Sequence, residues 1–139
     1  MKVMIVCSTA FYNKVGEVKE KLESIGHTIC LPNCYGEEDN WNVTNMNDEE
    51  KSQFFNDMFH QSRNKIADVD AIVVLNYSKE KNGKVLENYI GASTFLEMYE
   101  AFMNNKKIFM MNGYPDNMLV DEIKGFAPIL INGDLDLVK

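Results

Sequence analysis

Val3-Met4-Ile5-Val6-Cys7-Ser8-Thr9-Ala10-Phe11-Tyr12, residues 3–12, is an unbroken apolar run that turns into a polar and aromatic junction. Five consecutive apolar residues without alternation suit a strand covered on both faces, the usual condition of parallel sheets. Beyond the junction, Val15, Val18, Leu22 and Ile25 recur at helical spacing until Gly26. Strand, loop and helix in that order are the opening of a right-handed crossover.

The same alternation continues outward. His27 to Leu31 reads as a second strand, stopped by Pro32. Asn33 to Asp48 is polar, holds Gly36 and several asparagines, and has no period, so it reads as a loop or lid. Glu49 to Ile66 regains helical spacing through Phe54, Phe55, Met58 and Ile66, with Asn47 or Asp48 to cap its start. Asp70 to Asn76 is a third strand, and the charged, glycine-containing Tyr77 to Tyr89 reads as a solvated loop. A mostly apolar helix then runs to about Asn104. Lys107 to Met111 is a fourth strand, a short helix lies near Leu119 to Ile123, and Pro128 to Ile131 is a fifth strand. With no internal repeat or change of composition, residues 1–139 read as one α/β domain: a five-stranded parallel sheet between two layers of helices, doubly wound and Rossmann-like.

A chain of 139 residues buries roughly two thirds of its extended surface and needs no disulfide staple. The net charge of −7 and the lack of a Lys/Arg cluster exclude nucleic acid and anionic membrane as expected partners and leave small molecules. No apolar run approaches the ~20 residues of a membrane span, and the first residues lack signal-peptide architecture, so the chain reads as cytoplasmic. Cys7, Cys30 and Cys34 suit reduced core thiols. Grouping two of them with His27 lacks the paired short spacings of zinc sites, and no metal is expected. The acidic residues between Glu37 and Asn45 lack the spacing of a calcium loop and read as solvated.

Ligands of doubly wound sheets bind beyond the carboxyl ends of the strands. Here those ends carry Ser8, Thr9, Phe11 and Tyr12, then Asn76 and Tyr77, the junction Gly91 to Glu97, and Asn112. The outstanding residue is Glu97, read as lying just inside the start of the apolar helix, where the helix dipole and first-turn N–H groups would keep it ionised in a partly dry pocket. Hydroxyls, amides and aromatic rings around one carboxylate suit a sugar attached to a flat base, that is, a nucleoside or nucleotide. Glu97 would then act at the anomeric carbon in the manner of retaining glycosidases. His60 is a candidate acid toward the leaving base, or a plain surface residue. Glu100, one turn on, reads as facing solvent or a subunit interface.

In order, the strand ending in Leu75-Asn76, then Tyr89-Ile90-Gly91 through Thr94, Glu97 and Ala101, then Asn105-Lys106-Lys107-Ile108, resemble the nucleoside 2-deoxyribosyltransferase superfamily. The likeness covers most of the chain, including the loop Cys7-Ser8-Thr9-Ala10-Phe11 and the closing stretch Pro128 to Leu135. It implies a flavodoxin-like three-layer sandwich, no cofactor or metal, and a homodimer or higher homo-oligomer in which a neighbouring subunit helps complete the pocket. It implies base exchange between deoxyribonucleosides, or hydrolysis of the N-glycosidic bond of nucleosides and nucleoside monophosphates. The nucleophile falls on Glu97, a ribose- or phosphate-contacting segment on Gly91, Ser93 and Thr94, and the floor under base and sugar on Ser8, Thr9, Phe11 and Tyr12. Transferases of the superfamily carry an orienting aspartate where this chain has His60-Gln61-Ser62-Arg63, and a second six residues before the glutamate, where this chain has Gly91. A non-catalytic binder of nucleotides, or of a nucleotide signal, is the alternative reading. An FMN-dependent electron carrier fits less well, because Ser8 to Tyr12 is poor in phosphate-binding hydroxyls.

Overall fold

Strand β1 (Lys2–Cys7) is buried from Val3 onward because each of its faces meets a separate core. Val3, Ile5 and Cys7 point into one, with Ala71, Val73 and Leu75 of β3 (Ala71–Leu75) beside them. Met4 and Val6 point into the other with Ile72 and Val74. This two-sided burial is why the runs are continuous rather than alternating. The computed structural model describes residues 1–37 and 42–139.

β1 pairs in parallel with β2 (Thr28–Cys30) on one side and β3 on the other; β3 continues to β6 (Lys107–Met110) and β6 to β7 (Ile129–Leu130). The order β2-β1-β3-β6-β7 is that of a flavodoxin-like sheet, and it reverses direction at β1 and β3. Helix α1 (Tyr12–Ser24) and the closing segment around Leu135 and Val138 cover the first core. Helices α2 (Asp48–Ala67), α3 (Ala92–Met103) and α4 (Val120–Gly125) cover the second.

One reading is corrected here. Tyr77 to Tyr89 is not only loop: β4 (Lys79–Lys81) and β5 (Lys84–Leu86) form an antiparallel hairpin. Its turn residues Asn82 and Gly83 both have positive φ, 53° and 76°, the requirement of the tightest hairpin turn, which glycine meets without strain. The apolar stripe of α2, whose spacing marks the helix, divides between the core and a cleft. Ile66 is buried, whereas Phe54, Phe55 and Met58 are half-buried and face a cleft. The loop read over residues 33–48 holds a turn at its start and a 3-10 turn at Val43–Asn45; its residues 38–41, part of the acidic stretch read as solvated, lie outside the described residues.

Asn47 and Glu50 form a reciprocal cap at the start of α2, with each side chain accepting from the other's backbone N–H at 2.8 and 3.1 Å. Asn47→Ala is expected to lower stability by about 1 kcal/mol in urea denaturation. Because α2 forms one wall of the cleft, the same variant is also expected to weaken ligand binding.

Candidate active site

Beyond the ends of β1 and β2, between α2 and α3, lies a cleft of about 740 Å³, within the roughly 300–1,000 Å³ of small-molecule sites. Cys7, Ser8 and Thr9 form its floor. One wall is the stripe Phe54, Phe55, Met58, Phe59 and Ser62 of α2, residues three to four apart that a helix brings onto one side. The facing wall is Ser93, Leu96, Glu97 and Glu100 of α3. Tyr12, Asn33 and Tyr89 close the ends.

Glu97 sits in the second turn of α3, not its first. The helix begins at Ala92 with Gly91 as its cap residue, no side chain caps it, and the first turn holds no acidic residue. The expected stabilisation by first-turn N–H groups is therefore absent. Glu97 Oε2 instead accepts from Ser62 Oγ at 3.0 Å, across from α2. Burial among apolar side chains outweighs that bond and the charge of Lys65, and pushes the pKa up from 4.5 to about 7. The carboxyl group is thus poised between its two protonation states near neutral pH rather than locked as an anion. Burial, with the nearby Glu97 charge, also pushes the Cys7 thiol up to about 12, which keeps it protonated and unreactive.

Ser8, Thr9, Tyr12, Gly91, Ser93, Thr94 and Glu97 all line this cleft. Gly91 allows close packing: a Cβ there would stand 3.3 Å from the Tyr89 hydroxyl. Ser8 Oγ also accepts from the Ala10 N–H, and Tyr12 donates its hydroxyl to the Asn33 carbonyl at 2.7 Å.

Other expected residues lie elsewhere. Phe11 is 4% exposed and packs edge-on against Tyr77 and Tyr89, so it is core rather than a stacking surface. Asn76 is fully buried and ties the end of β3 to Asn112 and Gly113. Tyr77 and Asn112 line a separate recess of about 310 Å³ beside α1. His60 is exposed, its ring Nδ1 2.9 Å from the Asn56 carbonyl, and it does not line the cleft. Glu100 is not simply a solvent-facing residue: it lines the cleft mouth, 3.6 Å from Arg63 Nε. Among the described residues no three His, Cys, Asp or Glu side chains come together to hold a metal, and no helix is long and apolar enough to cross a membrane. His27 is engaged by the N-terminus and the Val138 carbonyl.

Among the residues that sequence reading missed, Ser62 and Asn33 stand behind Glu97. Their signal was faint: Ser62 is a lone small polar residue on the apolar side of α2, four positions after Met58, and Asn33 follows the proline that ends β2.

No protein-family model matches the sequence, and no curated protein matches it. The structure shares its fold with Clostridium botulinum CMP N-glycosidase, BcmB, at a TM-score of 0.55 and 14% identity over 99% of this chain and 98% of that one. A 2-deoxyribosyltransferase from the psychrotolerant bacterium Bacillus psychrosaccharolyticus aligns at a TM-score of 0.49 and 17% identity, over 88% of this chain and 81% of that one. The architecture is the flavodoxin-like three-layer sandwich with a five-stranded parallel sheet that the sequence resemblance implied.

Proposed function

We propose that this chain cleaves the N-glycosidic bond of a nucleoside or nucleoside 5′-monophosphate, with Glu97 as nucleophile. The observation that carries this reading is a carboxyl group facing an apolar-lined cleft at the strand ends, held by a single hydroxyl. In the first step a Glu97 oxygen bonds to C1′ while the C1′–N bond breaks; its electron pair leaves with the base, which takes a proton from solvent. In the second, water bonds to C1′, the C1′–O bond to Glu97 breaks with its pair returning to the carboxylate, and water's spare proton passes to solvent. A second base in place of water would make the reaction a transfer. Tyr12, Tyr89 and the phenylalanines of α2 can face the flat base. The hydroxyls of Ser8, Thr9, Ser93 and Thr94 and the free N–H groups at the start of α3 can hold sugar hydroxyls or a phosphate. The fold is one that performs this class of chemistry in a CMP N-glycosidase, and the cleft's own residues supply the argument here.

The test is a panel of ribonucleosides, deoxynucleosides and their 5′-monophosphates, with free base followed by chromatography. Only ionised Glu97 attacks, so release is expected to rise from about pH 5 and level off near pH 8, with its midpoint near the raised pKa of about 7. No release from any member of the panel overturns the enzymatic reading. Tight binding by calorimetry without release would identify a nucleotide-binding protein instead. A flat profile through neutrality would remove Glu97 as the titrating group.

A further inference from the structure

The hydrogen bonds behind Glu97 run in one direction only. Asn33 places one side-chain atom 2.7 Å from Ser62 Oγ and 3.3 Å from the Met58 carbonyl oxygen. A carbonyl can only accept, so that atom is the amide nitrogen, and Ser62 Oγ accepts from it. The Ser62 hydrogen is thereby left to point at Glu97 Oε2. The arrangement leaves Asn33 Oδ1 bare, the single buried side-chain oxygen or nitrogen without a partner among the described residues. Turning the amide over would not cure this: it would set two acceptors against each other at Met58 and bury an unpaired NH₂. An unsatisfied buried acceptor asks for a reason.

We infer that Asn33 and Ser62 are positioning residues, a one-way donor relay that orients the Glu97 carboxyl group and favours its ionised form. The inference rests on Glu97 being the reacting carboxylate. A donor turned toward an oxygen strengthens when that oxygen carries charge, so the relay opposes the burial that neutralises Glu97. It does so without adding a second negative charge to the cleft, which an acidic partner at position 62 would. The other charged group acting on Glu97 is Lys65 of α2, whose ammonium is held by the Leu31 carbonyl, while Glu97 in turn acts on the Cys7 thiol of β1. Cys30 of β2 feels the same charge at longer range, and Arg63 of α2 is 3.6 Å from Glu100 of α3. None of these changes when the relay is cut.

The measurement is a direct titration of Glu97 by carbon NMR of glutamate-labelled protein, with the signal assigned by its loss in Glu97→Gln. Ser62→Ala is expected to raise the pKa by about one pH unit, Asn33→Ala by less, and Ser62→Thr, which keeps the hydroxyl, to restore it. Where base release is measurable, the acid limb of its pH profile moves upward with the titration. A packing role for Ser62 predicts no change, since alanine fills the same space. Glu97 titrating as in wild type in either Ser62→Ala or Asn33→Ala overturns the relay. If no substrate is cleaved, or Glu97→Gln still cleaves, the catalytic reading fails while the titration still decides the relay.

Discussion

Glu97→Gln is expected to slow base release on the order of a thousandfold or more, measured by chromatography at saturating substrate, while the protein remains fully folded. The amide has nearly the same shape and still accepts from Ser62, but it has no anionic oxygen with which to form and then release a glycosyl ester. The variant also carries an internal control in its stability. Burial lifts the wild-type carboxyl from 4.5 to about 7, so between those values the folded protein holds a proton that the unfolded chain gives up. Wild-type stability from this group is therefore greatest below pH 4.5 and declines as pH rises toward 7. Glutamine does not titrate. Its thermal midpoint should gain on wild type through that window and keep the advantage above it. Near-normal release would take Glu97 out of the reaction, and a midpoint below wild type at about pH 8 would show that burial is not what governs the carboxylate.

Asn76→Ala is expected to destabilise the fold by about 3 kcal/mol, a drop of roughly 10 °C in thermal midpoint, with KM unchanged in the folded protein. Its fully buried amide donates to the Gly113 carbonyl at 2.9 Å and accepts the Asn112 N–H at 2.9 Å, joining the ends of β3 and β6 where neighbouring backbone leaves the sheet. Alanine takes away the amide that satisfies both half-buried partners, and each buried group left unpaired costs about 1–3 kcal/mol. Urea and thermal denaturation read the loss. An altered KM at full stability would return Asn76 to the residues that touch ligand.

Those two residues show where reading the chain succeeds and where it stops. Asn76 follows the end of β3 and Glu97 lies within α3, elements that periodicity locates well. Asn76 and Glu97 nevertheless differ in role because Asn76 faces the loop after β6 while Glu97 faces α2. Phe11 and Tyr12 are adjacent, yet the first is core and the second lines the cleft. The Asn82-Gly83 turn was legible in principle, since that pair favours a tight hairpin, but the charged residues around it masked the two short strands.

Local rules acting over a few residues were enough to determine the five strands of the parallel sheet and the helices between them, because two-sided burial and helical spacing leave their mark on neighbouring positions. Only the tertiary structure decided the state of Glu97. Its helix-start position was a local inference and proved wrong by a turn, while the forces that set its charge come from apolar walls on two helices and a hydroxyl 35 residues away in sequence. Desolvation depends on everything that surrounds a group, and no window along the chain contains that.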